Sequence, residues 1–201
     1  MSAKLIRPLP AGRAVHLCID MQRIFTAEGP WPTPWMERVV PVVAEIAGRF
    51  PERTVFTRFI TPARPSEMPG MWQCYYERWR DATRERIDPR LLELVEPLAR
   101  LAPPATVIDK ARYSGFAEGA LHAHLRRRGI DSLIVTGSET DVCVLATVLG
   151  AVDLGYRVIL VHDAVCSSSD QGHDALMQIY HRRYSEQIEV ATAETILARW
   201  Q

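Results

Sequence analysis

Short apolar runs of strand length alternate along this chain with stretches in which apolar residues recur every three or four positions. The runs predict strands at Ala14–Ile19, Arg53–Thr57, Thr106–Ile108, Ser132–Thr136, Arg157–Val161 and Ile188–Val190. The longer periodic stretches predict helices over Pro34–Phe50, Pro89–Arg100, Ala117–Arg128, Thr140–Leu154, Asp170–Tyr184 and Thr192–Trp200. Pro34 suits a first helical turn, and Gly129 and Gly155 suit the positions just past helix ends. Residues 60–80 read as irregular and aromatic, broken by Pro62, Pro65, Pro69 and Gly70. Strands alternating with helices imply one parallel sheet covered on both faces. The expected fold is therefore a three-layer α/β/α, Rossmann-like single domain over residues 1–201, with a six-stranded parallel sheet in the order 3-2-1-4-5-6.

Composition narrows what such a domain does. Lys+Arg and Asp+Glu are both 24, so the formal net charge is zero. That balance supplies no electrostatic footprint for nucleic acid or an anionic membrane. The run Arg126–Arg128 reads as the solvated end of a helix. No apolar run has the ~18 residues of a membrane span, and the opening MSAKLIRPLP has no apolar signal core. The cysteines at 18, 74, 143 and 166 form no close pairs, which argues against a disulfide framework or structural zinc and for a reducing, cytoplasmic location. No dinucleotide or Walker glycine motif is present. Lys4 and Lys110 are the only lysines in an otherwise arginine-rich chain. An ammonium approaches a thiolate or carboxylate as a compact point charge, which a guanidinium cannot do.

Ligands in open parallel sheets bind beyond the carboxyl ends of the strands. Asp20, Lys110 and the segment Gly137–Cys143 all follow such ends. Cys143 lies between a strand and a helix, where the helix dipole favours an anion and a neighbouring lysine lowers a thiol pKa. Asp20 could accept the thiol proton and later activate water, or it could cap a turn. Arg58, at the end of strand two, could clamp a substrate carboxylate or pair with an acidic neighbour. Trp72, Tyr75, Tyr76 and Trp79 follow helical spacing and suit packing, or else a lid over the catalytic edge. The six histidines suit structural roles.

Three segments carry a resemblance. Leu17-Cys-Ile-Asp20-Met-Gln-Arg-Ile-Phe25, Ile108-Asp-Lys110-Ala-Arg-Tyr-Ser114-Gly-Phe116 and Gly137-Ser-Glu-Thr140-Asp-Val-Cys143-Val-Leu-Ala-Thr147 resemble the signature blocks of isochorismatase-like cysteine hydrolases, and Gly155-Tyr…Val161-His-Asp163-Ala is similar to that family as well. The likeness covers about residues 13–195. It implies that Cys143 is the nucleophile, Asp20 the general base and Lys110 the third member of a catalytic triad. It implies a cis peptide at Ser138–Glu139, which would turn the Glu139 N–H beside that of Cys143 as an oxyanion hole. By the same resemblance Phe25 lines the pocket, with Arg58 and Trp72 as further substrate-binding candidates, and the chain forms a homo-oligomer, a dimer or tetramer, acting on a small molecule.

One departure matters. Nicotinamidases of the family carry an Asp-x-His metal motif after strand two, where this chain reads Thr57-Arg-Phe-Ile-Thr-Pro62, and no histidine lies between His16 and His122. Without imidazole ligands there, no metal and no other cofactor is expected. The expected activity is cysteine-dependent hydrolysis of a C–N bond in a small amide, ureido or carbamoyl compound through a thioester. A vinyl-ether hydrolase of isochorismatase type, or a non-catalytic binding module on the same fold, remains an alternative.

Overall fold

A strand whose every side chain is buried must lie inside a sheet covered on both faces, and Ala14–Ile19 is such a strand. In the computed structural model, which describes residues 5–201, this β1 is central. It pairs in parallel with β2 (Thr54–Phe59) on one side and β4 (Ser132–Ser138) on the other. β3 (Thr106–Lys110) joins β2, β5 (Arg157–Cys166) joins β4, and β6 (Ile188–Ala191) closes the far edge. The order β3-β2-β1-β4-β5-β6 is the expected one.

Alternation along the strands divides the interior into two cores. Ala14 and Cys18 of β1 face one core, shared with Val43, Ile46 and Ala47 of α1 (Met36–Arg49) and Ile196 of α7 (Ala193–Arg199). Val15, Leu17 and Ile19 face the other, shared with Leu121 and Leu125 of α4 (Ala120–Arg127), Val148 of α5 (Leu145–Asp153) and Tyr180 of α6 (Asp170–Arg183). These helices form the outer layers. Among the described residues no helix is long and apolar enough to cross a membrane.

Two segments differ from the sequence expectation. Pro89–Arg100 is not one helix. A 3₁₀ turn at Pro89–Leu92 is followed by an extended stretch and then by the single turn α3 (Glu96–Ala99). Pro97 has no N–H to donate to Glu93 O and its ring would clash with that carbonyl, so one helix cannot run through it and α3 starts afresh with Pro97 in its first turn. The stretch between is held extended instead: Val95 N donates to Met21 O at 3.0 Å, and Gln22 Nε2 donates to Leu92 O at 2.7 Å. Within residues 60–80, the helical spacing of the rings is realised as α2 (Met71–Arg78), entered after a 3₁₀ turn at Pro65–Glu67. Smaller differences lie at element ends. β5 runs on to Cys166 through a register shift opposite Val135 and Gly137. The helix expected from Thr140 begins as a π-helical turn, Thr140–Val144.

Candidate active site

The carboxyl end of β1 turns sharply at Asp20, whose φ of 49° is the one positive value at a non-glycine residue among those described. Asp tolerates that left-handed geometry better than most side chains. The turn is held from β2. Asp20 N donates to Thr57 O and to Thr57 Oγ1, each at 3.2 Å, and Thr57 Oγ1 donates back to Asp20 Oδ1 at 2.6 Å. Asp20 Oδ2 faces Lys110 Nζ at 2.6 Å, with both side chains almost wholly buried. Lys110 Nζ also donates to Arg112 O at 2.9 Å and lies 5.1 Å from the centre of the Phe59 ring. Lys110 follows from register, because β3 pairs with β2 so that Lys110 stands opposite Phe59, two strands out from Asp20.

Cys143 reaches the same point from β4. The strand passes so close to β1 that a Cβ on Gly137 would meet Ile19 O at 2.1 Å. The Ser138–Glu139 peptide is cis. The π-helical turn then places Cys143 ahead of α5, with its thiol beside Asp20 and Lys110 and within electrostatic reach of both. Cys143 is 4% exposed, so its sulfur sits at the floor of the rim. The Glu139 and Cys143 N–H groups donate to no carbonyl of a turn or loop, as befits the opening of a helix, whose first N–H groups have no intrahelical acceptor. The turn itself is tied down from the loop after β5 and from α6. Glu139 Oε2 accepts from Ser168 N at 2.8 Å, Asp141 Oδ1 from Ser167 Oγ at 2.6 Å, and Thr140 Oγ1 lies 2.9 Å from His173 Nδ1.

Electrostatics give the resting proton arrangement. Burial and then the Asp20 carboxylate push the Cys143 thiol well above its ordinary range, against the Lys110 ammonium. Burial pulls Lys110 down, but the negative charge of the adjacent Asp20 opposes it and the net shift is upward. The group is therefore a carboxylate–ammonium pair beside a protonated thiol. The low-pKa thiolate expected from the helix dipole is not the resting form, because desolvation of the sulfur exceeds the favourable terms.

Aromatic rings wall the site. Phe25 stacks on Trp31 with ring centres 6.1 Å apart, and Trp31 also meets Phe59, Tyr75 and Trp79. Trp72 packs on Tyr113 at 4.7 Å, and Tyr113 stacks on Phe59 at 6.4 Å. Burial and the charge of Cys143 are among the causes that raise the Tyr75 and Tyr113 phenols. Phe25 and Trp72 thus belong to an aromatic cluster that reaches Lys110 through Phe59.

Arg58 does not face this site. Alternation sends Thr57 and Arg58 to opposite faces of β2. The Arg58 guanidinium grips Asp109, its partner across the strands, at 2.8 and 3.0 Å, and Glu93 at 2.7 Å. The carboxylate-clamp expectation is corrected to a structural ion pair, since two acidic side chains already occupy the fork. Sequence reading passed over Thr57, Trp31, Phe59, Arg112 and Tyr113. Arg112 and Tyr113 lie inside a recognised block, and Thr57 stands where a metal motif was sought. Trp31 sits in an irregular Gly-Pro-Trp-Pro stretch without periodicity to mark it. Among the described residues no three of His, Cys, Asp and Glu are grouped so as to hold a metal ion, so the donor set at the end of β2 does not fit one.

Comparison with known proteins follows from this geometry. A cysteine hydrolase from Pseudomonas syringae pv. phaseolicola superimposes with a TM-score of 0.82 at 26% identity, covering 99% of this chain and 98% of that one. A ureidoacrylate amidohydrolase of Variovorax paradoxus is 44% identical over 62 residues, 31% of this chain and 25% of that protein. A probable inactive nicotinamidase of Arabidopsis thaliana is 27% identical over 166 residues, 79% of this chain and 83% of that protein. The chain spans only about a quarter to two fifths of several curated relatives it matches. The isochorismatase domain model matches residues 14–192. With that match over most of its length, the sheet order expected of it and the three blocks meeting at one rim, the chain belongs to the isochorismatase family.

Proposed function

We propose that this protein is a cysteine-dependent hydrolase that cleaves the C–N bond of a small amide, ureido or carbamoyl compound through a thioester. The observation that carries the reading is the meeting of three distant chain segments: a buried Asp20–Lys110 pair at 2.6 Å with the Cys143 thiol beside it, within electrostatic reach of both. Relatives named ureidoacrylate amidohydrolase and streptothricin hydrolase support the bond type.

In the proposed reaction the Cys143 sulfur attacks the carbonyl carbon as Asp20 takes the thiol proton. The carbonyl electrons move onto oxygen, which the Glu139 and Cys143 N–H groups hold as an oxyanion. Backbone donors suit this because they need no reorganisation as charge develops. Asp20 returns the proton to the nitrogen, the C–N bond breaks, and ammonia or an amine leaves a thioester. Water then attacks with Asp20 as base, the C–S bond breaks, and the thiol regains a proton as the acid departs. Lys110 holds carboxylate and sulfur together throughout by charge. The aromatic wall excludes bulk water and shapes the pocket for a small substrate.

The experiment is turnover of a panel of small amides, ureido acids and carbamoyl compounds with ammonia detection, beside single-turnover mass spectrometry for an acyl adduct on Cys143. The wild type should form the adduct. Cys143→Ala should form none and lose at least ~1,000-fold in kcat, in line with removal of an essential nucleophile. A Cys143→Ala protein that turns over its best substrate at the wild-type rate would sink the mechanism.

A further inference from the structure

The loop that follows Lys110 brings a second cation to the aromatic wall, and this cation has no counter-charge. Arg112 is half-buried. Its Nη1 donates to Ala111 O at 3.1 Å and approaches Met68 Sδ at 3.7 Å, while Nε and Nη2 have no acceptor and no carboxylate pairs with it among the described residues. Its guanidinium lies 5.5 Å from the centre of the Trp72 ring. Two other partly shielded guanidiniums do carry carboxylates, Arg58 with two and Arg157 with Glu189 at 2.6 Å, while Arg53 is held by carbonyls and the Phe50 and Trp200 rings. A desolvated guanidinium normally keeps a partner, because its donors are a fork matched to a carboxylate.

An independent feature lies beside it. Tyr76 is fully buried, yet its hydroxyl has no hydrogen-bond partner. A buried hydroxyl left unpaired is costly, and such atoms are few in folded proteins. The Tyr76 ring packs on Trp72 with centres 6.2 Å apart, and the phenol lies within electrostatic reach of both Arg112 and Cys143. Trp72, Tyr113 and Phe59 form a continuous ring contact from Arg112 back to Lys110. An unpaired guanidinium and an unpaired phenol thus flank the wall of the proposed catalytic cavity.

We propose that Arg112, assisted by the Tyr76 hydroxyl, anchors a carboxylate on the substrate, so that the compounds hydrolysed at Cys143 are themselves acids: ureido, carbamoyl or amide derivatives carrying a carboxylate beyond the scissile bond. This rests on the hydrolase reading above and narrows its substrate class. Arg112 would bind the end of the substrate that does not react, with the aromatic rings between anchor and sulfur setting the length accepted.

Two measurements test it. The first is calorimetric binding to the Cys143→Ala protein, using N-carbamoylglycine and N-carbamoyl-β-alanine beside their neutral N-methylamides. At least one acid should bind about tenfold or more tighter than its methylamide. Adding Arg112→Ala should shrink that gap by roughly 10–100-fold, the range of a charged hydrogen-bonded contact, and Arg112→Lys should restore only part of it, since an ammonium lacks the fork. Tyr76→Phe, which keeps the ring packing, should narrow the gap several-fold. Melting temperatures of the variants check that each is folded. The second measurement is the ratio of kcat/KM for acid over methylamide with Cys143 present; Arg112→Ala should lower it through KM for the acid. Equal binding of acid and methylamide, or an Arg112→Ala protein that weakens both alike, overturns the anchor. Acid-selective binding without turnover of any probe would uphold the anchor and sink the hydrolase reading. Turnover with no acid preference would do the reverse.

Discussion

A thiol set between a carboxylate and an ammonium is pulled two ways, since the first charge disfavours the thiolate and the second favours it, and burial tips the balance. In Cys143 desolvation and the adjacent Asp20 charge outweigh Lys110, so the sulfur stays protonated. This has a measurable consequence. In iodoacetamide mapping near neutral pH, exposed Cys74 should react first and Cys143 slowly. The Cys143 rate should climb about tenfold per pH unit through pH 9, as expected of a thiol titrating above that point. Cys166, pushed up to about 12 by burial, should stay unlabelled in the folded protein. A Cys143 rate that is fast and flat from pH 7 would mean a resting thiolate and a different division of labour with Asp20. Residue identity was enough to nominate Asp20, Lys110 and Cys143. Their proton arrangement was not readable in the chain, because it depends on how far each group is withdrawn from water.

At the scale of elements, the turn from β4 into the π-helical segment decides where the sulfur points. Gly137 has φ of 117°, a conformation L side chains rarely adopt, and its Cα lies against the backbone of β1. The close approach lets Ser138, Glu139 and Cys143 reach the end of β1, where Asp20 stands. Gly137→Ala would press a methyl group into Ile19 O and N. It should destabilise the fold by about 3 kcal/mol or more, the upper range for overpacking, and lower Tm by roughly 6 °C or more. A thermal melt within about 2 °C of wild type would show that β1 and β4 yield more easily than their contacts indicate. Strand and helix types were legible from periodicity, as β1 shows. Pro89–Arg100 departs from its apolar spacing because Pro97 interrupts a helix and the Met21 carbonyl and Gln22 side chain give the extended backbone its hydrogen-bond partners.

For the whole molecule, the sheet carries a titratable group at its centre. His16 on β1 is fully buried, with Nε2 2.7 Å from Thr136 Oγ1 and Nδ1 3.5 Å from Thr54 Oγ1, so it bridges β4 and β2. Burial pushes it down to about 3 from 6.5. Between those values the unfolded chain binds a proton that the folded chain does not. Stability from this group is therefore present in full above about 6.5 and is lost as pH falls toward 3. From pH 7 to pH 5 the loss should be about 2 kcal/mol. Urea unfolding of wild type and His16→Gln at both pH values checks this. The wild type should lose about 2 kcal/mol more than the variant over that interval. Identical losses would mean that His16 is protonated in the fold without penalty.

Local chemistry was enough to determine part of this protein. Apolar periodicity dictates a parallel α/β sheet, and right-handed crossovers leave few strand orders, the one found among them. Strand ends place an acid, a base and a thiol on one edge. What only the tertiary structure decided involves pairs far apart in sequence. Arg58 is claimed by Asp109 and Glu93, whereas Arg112 has no acidic partner among the described residues. The two arginines look alike along the chain. Which carboxylates meet them is set by strand register and face, so one became a strut of the sheet and the other a charge left open beside the wall.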